Sequence, residues 1–279
     1  VFSADRLRVI VTDVELATIK RNYTSRAVIN SAKVAAYGYL PRPIVETVLD
    51  LYGKKTTLKG VKGMEVEYAS SKEDINSIYG DVASDPVKTE FIHVGEGLLE
   101  ESPPNIAESV DKHNRSRSRA LFFPWGAWVT AYTRGTLLGA IMDLSDEGAD
   151  VLYCDTDSTY SKTSSAVFTV MERINNIYLA KNAAAAEAMG FDPELYAPKD
   201  PKGVAHPVGL FEHDNYGEEI EQFKTLGAKR YATVKDGKFE ITVAGLNKAA
   251  GAEYIAENGS MDFFADGMEI PAERSGRLV

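Results

Sequence analysis

Tyr153-Cys154-Asp155-Thr156-Asp157-Ser158, approached through Ala149 to Leu152, is the stretch on which the reading of this chain turns. A short strand runs into Asp-Thr-Asp, and strand-like residues resume at Thr159-Tyr160. The segment therefore reads as a hairpin with acids at its tip. Two carboxylates leaving a sheet together can meet a divalent cation at one point. Mg²⁺ favours one or two carboxylates completed by substrate phosphates, and such a site serves nucleotidyl or phosphoryl transfer assisted by two metals. On the tripeptide alone a solvated turn is the commoner reading, because acids tolerate turn geometry and bond their own backbone. The rest of the chain has to decide.

At 279 residues the chain has room for one large domain or two small ones. With 44% hydrophobic and 26% charged residues it can build a packed core. A formal charge of −10 argues against coating nucleic acid by bulk attraction. It leaves open a site where local acids hold metals and local Lys and Arg hold phosphates. The single cysteine, Cys154, excludes an internal disulfide framework and suits a reducing compartment; in the strand before the acids it is expected to be a small buried residue. His93, His113, His206 and His213 lack zinc-site spacing. No apolar run reaches the roughly 18–20 residues needed to span a bilayer, and no signal-peptide pattern opens the chain. Because the chain starts at Val1 and ends at Val279 in strand-like sequence, we expect a piece of something longer.

Patterning predicts a short strand over Arg8 to Val11, then a helix capped by Thr12 or Asp13. Strand-like stretches follow from Arg26 to Tyr39, then a helix from Ile44 to Tyr52 ended by Gly53. A locally basic segment runs from Lys54 to Lys62. The next predicted helix spans Met64 to Tyr79 and stops at Gly80. Residues 81–120 are polar and turn-rich, carry the basic run Arg115, Arg117 and Arg119, and read as an insertion or hairpin flap. Pro124 precedes a strong helix closed by Gly148. A further helix or helix pair covers Ser165 to Met189. Strands are expected at Val208–Glu212, Arg230–Val234 and Phe239–Val243, the last two joined by an Asp236-Gly237 turn.

Lys72, Asn76 and Tyr79 fall at i, i+4 and i+7 and share one helix face. An ammonium, an amide and a ring on one stripe suit a nucleoside triphosphate, although an ordinary polar helix face would look the same. The string Lys72-Glu-Asp-Ile-Asn76-Ser-Ile-Tyr79-Gly80, followed some way on by Tyr-Cys-Asp155-Thr-Asp157-Ser158, resembles family B DNA polymerases. The likeness is to the protein-primed branch found in phages and linear plasmids. The resemblance implies that the first string is the nucleotide-binding fingers helix and the second is the palm hairpin that holds catalytic metals. Pro124-Trp-Gly-Ala-Trp-Val-Thr130-Ala-Tyr-Thr-Arg134 is similar to the palm helix whose Thr and Arg contact DNA. Ala228-Lys229-Arg230-Tyr231 is similar to the Lys-x-Tyr element that steadies the primer terminus. Lys55 stands near the place of a second triphosphate-binding lysine. Each also has a plainer reading, with Lys229 and Tyr231 a surface pair on one strand face and Thr130 and Arg134 a solvated helix face.

The resemblance implies an α+β right-hand fold with an antiparallel palm sheet, helical fingers and a partial thumb. Its boundaries would be palm at 1–30, fingers at 31–80, palm at 81–92, an inserted hairpin at 93–120, palm at 121–245 and partial thumb at 246–279. It further implies Mg²⁺ or Mn²⁺ as cofactor. Primer-template DNA and deoxynucleoside triphosphates would be the partners, with a terminal-protein primer as a further one and no membrane. The compartment would be the cytoplasm of a phage or plasmid host. Asp157 would ligate metal directly, with Asp155 a metal-facing acid of more positional character.

One motif is missing. The family's Asp-x-x-Ser-Leu-Tyr-Pro string, which supplies a third carboxylate, does not occur. Asp13 is the nearest substitute, but it reads better as a helix cap. We therefore expect an incomplete fragment, or one chain of a split enzyme whose second chain carries the missing motif. The alternative is a non-catalytic DNA- or nucleotide-binding module that retains the fold.

Overall fold

The structure is a computed structural model, and it describes residues 6–24, 26–95, 98–116, 122–213, 219–271 and 274. Arg117 and Arg119 lie outside them. The chain divides into two compact units, 1–140 with 172–210, and 141–171 with 211–279. Two of the three divisions fall within long helices, and the third falls between residues 210 and 211 in irregular chain.

In the first unit, α1 spans Asp13–Asn22. Thr12 is its cap: Thr12 Oγ1 accepts from the Glu15 N–H while the Glu15 carboxylate accepts from the Thr12 N–H. This reciprocal box satisfies two otherwise orphaned donors, and it leaves Asp13 in the first turn rather than at the cap. α1 lies against α5 (Phe123–Asp146), where a Cβ on Gly135 would come 2.8 Å from Val14 Cγ1. Glu15 also pairs with Arg134 of α5.

α2 (Arg42–Leu58) and α3 (Glu65–Ala83) pack on one another. Both run past the glycines expected to end them. An interior glycine costs about 1 kcal/mol relative to alanine, and buried side chains beyond it return more. Thr56 follows Gly53 two turns after buried Leu49, and Val82 follows Gly80. Tyr52 Oη also donates to the His206 carbonyl at 3.2 Å. The predicted strands over Arg8–Val11 and Arg26–Tyr39 do not form among the described residues. β-branched content without a hydrogen-bonding neighbour does not make a strand.

β1 (Glu90–Gly95) pairs antiparallel with β2 (Leu98–Ser102), and helix α4 (Ile106–Arg115), capped by Asn105, follows. α6 (Ser165–Met189) is a single helix. It ends at Gly190, φ +65°, and Arg42 donates to the Met189 and Gly190 carbonyls while its guanidinium lies 4.3 Å from the Phe191 ring centroid. A cation there meets the negative end of the helix dipole. Leu49, Ala186, Phe191 and Tyr196 form the buried cluster beneath. Val208–Glu212 is irregular rather than a strand: Val208 N–H donates to Tyr196 and its carbonyl accepts from Asn182, so its backbone is bonded elsewhere.

The second unit holds the short hairpin β3 (Val151–Asp155) and β4 (Ser158–Ser161), and a separate sheet in the order β5 (Gln222–Gly227), β6 (Arg230–Lys235), β7 (Lys238–Val243). The single palm sheet expected from sequence is thus two antiparallel pieces among the described residues. Asp236 and Gly237, at φ +48° and +69°, make the β6–β7 turn, the geometry that matches strand twist. β5 had no prior signal. α7 (Lys248–Glu257) packs on β7, and Ala232, Ile241, Ile255 and Phe264 form one core.

Two glycines in the first unit should respond oppositely to alanine. A Cβ at Gly126 would sit 2.7 Å from Ala83 Cβ and 3.3 Å from its Cα, whereas one at Gly53 meets nothing within 4 Å. Overpacking costs about 1–3 kcal/mol against a helix-propensity gain of about 1 kcal/mol. Urea unfolding should show Gly126→Ala losing stability and Gly53→Ala gaining about 0.5–1 kcal/mol.

The Thr12 N–H, and secondarily Arg134, hold the Glu15 carboxyl below its ordinary value of 4.5 despite partial burial. A carboxyl depressed in the folded state adds stability that is present above its unfolded pKa and lost as pH falls through the native one. The difference in melting temperature between the wild type and Glu15→Gln should be full above pH 4.5. It should close as acid protonates Glu15.

Candidate active site

The hairpin β3–β4 pairs Tyr153 with Tyr160, Cys154 with Thr159 and Asp155 with Ser158, with a bulge at Leu152. Strand alternation sends Tyr153 and Asp155 to one face and Leu152 and Cys154 to the other. Cys154 is consequently exposed, contrary to expectation. The turn is Thr156-Asp157, with Thr156 at φ +56°. The Asp155 carbonyl accepts from Asp157 N–H at 2.6 Å and from Ser158 Oγ at 3.1 Å, which closes the tip. The Asp157 carboxylate is exposed there.

Behind the tip, Tyr153, Tyr160, Phe223 of β5 and Tyr231 of β6 form a ring cluster. Every pair of centroids lies between 4.9 and 6.0 Å apart. Offset and tilted ring pairs add about 0.5–1.5 kcal/mol each beyond the area they bury. Tyr160 Oη donates to Tyr231 Oη at 3.1 Å.

Lys229 does not lie on a strand face with Tyr231, as the plainer reading of the sequence had it. It occupies the β5–β6 turn at φ +58°. Its N–H donates to Tyr153 Oη at 2.8 Å, and its ammonium lies 2.5 Å from Asp155 Oδ1 and 3.1 Å from Thr156 Oγ1. Thr156 Oγ1 itself donates to Asp155 Oδ1 at 2.9 Å. The Lys229 ammonium is the main reason the Asp155 carboxyl sits below the usual carboxylate value, and Asp155 in turn raises Lys229. Asp155, Asp157, Lys229 and Tyr231 thus share one unit, with direct contact between the acid hairpin and the Lys-x-Tyr turn.

The other candidates belong to the first unit. Lys72, Asn76 and Tyr79 are all exposed on α3, with Ile75 and Ile78 half-buried beside them. Lys55 is half-buried on α2, its ammonium 5.6 Å from the Tyr52 ring centroid. Thr130 Oγ1 is turned onto its own helix, donating to the Gly126 and Ala127 carbonyls. Arg134 is engaged by Glu15. Sequence reading missed Tyr153, Tyr160 and Phe223. The i, i+2 spacing of Tyr153 and Asp155 was the available signal.

Asp155 and Asp157 are hard oxygen donors, and Asp155 already attracts a cation in the form of the Lys229 ammonium. Among the described residues, no group of three or more His, Cys, Asp or Glu is placed to hold a metal ion. Two carboxylates are the donor type that Mg²⁺ or Mn²⁺ takes, but they would leave most of its ligands to phosphate and water. The pair is not a self-sufficient cage.

No family model matches the chain, and no curated protein sequence does. Among solved structures it is similar to phi29 DNA polymerase complexed with primer-template DNA, in a post-translocation binary complex. The TM-score is 0.46 at 18% identity, covering 81% of this chain. The chain spans about a third of that polymerase's length, 34%. No helix among the described residues is long and apolar enough to cross a membrane.

Tyr153→Phe removes the acceptor of the Lys229 N–H while keeping the ring in its cluster. It should lower stability by about 0.5–1.5 kcal/mol in urea unfolding. Tyr153→Ala, which empties the cluster, should cost about 3–5 kcal/mol.

Proposed function

We propose that this chain is the nucleotide- and primer-facing part of a DNA-directed DNA polymerase of the protein-primed family B type. It would add deoxynucleotides to a primer 3′-hydroxyl once its catalytic centre is completed. The observation that carries the reading is the contact between two motifs far apart in sequence, Asp155-Thr-Asp157 and Lys229-x-Tyr231. The sequence resemblance assigns both to one active centre. Asp155 and Asp157 would hold Mg²⁺ or Mn²⁺, which when bound activates the hydroxyl and neutralises leaving-group charge.

The chain's own residues do the rest. α2 and α3 form the fingers unit, where Lys72 and Lys55 neutralise the triphosphate, Asn76 reads polar edges and Tyr79 packs on the sugar. Lys229 and Tyr231 steady the primer terminus. Thr130 and Arg134 face the DNA backbone, Arg134 exchanging its Glu15 partner for phosphate. The third carboxylate and a terminal-protein primer would come from elsewhere, the former from a second chain or from the remainder of a longer one. The site of action would be the host cytoplasm.

A second reading, a non-catalytic DNA- or nucleotide-binding module, is favoured by the Lys229–Asp155 pair, which already satisfies one of the two acids.

Primer extension on a primed template with Mg²⁺ or Mn²⁺ separates the two. The chain alone should be silent. Adding a polypeptide that carries the missing palm motif should produce extension, reduced at least about 100-fold by Asp157→Ala, the scale of loss for a group acting on transition-state charge. Salt-sensitive primer-template binding without extension in any combination would favour the module. Absence of both DNA binding and extension would end the polymerase reading.

A further inference from the structure

Two non-glycine residues of the second unit adopt left-handed backbone and touch one another: Thr156 at φ +56° and Lys229 at φ +58°, with Nζ to Oγ1 at 3.1 Å. That conformation is costly for a lysine and more so for a β-branched threonine, and it persists where surrounding contacts over-determine it. Here the contacts converge on one atom. Asp155 Oδ1 takes the Lys229 ammonium at 2.5 Å and the Thr156 hydroxyl at 2.9 Å. Asp155 Oδ2 accepts no hydrogen bond from the described residues.

The two ends of Lys229 are held differently. Its backbone is anchored by the N–H donated to Tyr153 Oη at 2.8 Å. Its side chain is 53% exposed, against 16% for Asp155, so the ammonium has a way out on a flexible stem while the turn stays in place.

We propose that Lys229 is a positioning residue whose ammonium stands in for a divalent cation on Asp155 and is displaced when that cation binds, becoming available to a phosphate. This rests on the reading of Asp155 and Asp157 as metal-facing acids. The physical ground is charge. A dication on this carboxylate would lie within several ångströms of the ammonium, where like charges repel even at the dielectric of water. Either the lysine leaves or the metal binds weakly, and by linkage whatever draws the lysine away tightens the metal. The ion pair holds the acids in place before metal arrives, and its opening delivers a positive charge beside the metal.

Mn²⁺ binding to the full chain, followed by electron paramagnetic resonance and without nucleotide, tests this. Lys229→Met should bind Mn²⁺ about tenfold more tightly than the wild type. Lys229→Arg, which keeps the charge, should restore wild-type affinity, and Asp155→Asn should remove the difference between lysine and methionine at position 229. A second measurement needs no variant: the rate of reductive methylation of Lys229, read by mass spectrometry, should rise as Mn²⁺ saturates. Equal Mn²⁺ affinity in the wild type and Lys229→Met, or a methylation rate indifferent to Mn²⁺, would overturn the competition and leave the metal-facing acids standing. Failure of every form to bind Mn²⁺ would overturn both.

Discussion

Four aromatic rings hold the acid hairpin where it is, and the candidate site depends on them. β3 and β4 contribute five and four residues, and an isolated hairpin of that size is marginal in water. Tyr153 and Tyr160 face each other across its strands, and Phe223 and Tyr231 from the neighbouring sheet complete the cluster. The rings give the hairpin the second layer that every sheet needs. Three of the four carry hydroxyls, which join Tyr160 to Tyr231 and anchor the Lys229 backbone to Tyr153. One cluster therefore supplies packing and sets the position of the charges at the tip.

Those charges explain why the tip tolerates backbone that propensity disfavours. Replacing Thr156 or Lys229 with glycine would relieve the left-handed geometry and would also delete the hydroxyl or ammonium that meets Asp155 Oδ1. Strain at such a site persists because the contacts around it leave no alternative. In a chain with a formal charge of −10, a lysine held against the most buried tip acid also limits local repulsion between neighbouring carboxylates.

What could be read in the sequence followed from local rules, and what could not depended on partners. The hairpin tip, the Asp236-Gly237 turn, the helical character of Ser165–Met189 (though not whether it was one helix or two) and the exposed stripe of Lys72, Asn76 and Tyr79 are all set by patterns within a few residues. Gly53 and Gly80 misled because helix termination was judged by local cost, while Thr56 and Val82 pack on surfaces that no local pattern reveals. Arg8–Val11 and Val208–Glu212 have strand composition but no neighbouring strand in the described structure. Cys154 was misplaced by residue type, although alternation from Tyr153 and Asp155 would have put it outside. At the site, each acid and the Lys-x-Tyr element were legible separately. The ion pair that joins them was not, because it spans hairpins that only tertiary packing brings together.

The donor count gives the site its conditional character. Asp155 offers one oxygen already held by two donors, and Asp157 stands exposed beside it. Mg²⁺ dehydrates reluctantly and demands near-octahedral oxygen coordination, so two carboxylates hold it weakly unless phosphate oxygens arrive with it. The Lys229 ammonium raises that threshold further. A chain built this way keeps Asp155 paired with Lys229 until a cation displaces the lysine. It would hold a lone divalent cation weakly, and more tightly where phosphate oxygens complete the coordination and give the displaced lysine a new partner. Metal and phosphate would then favour one another's binding by linkage.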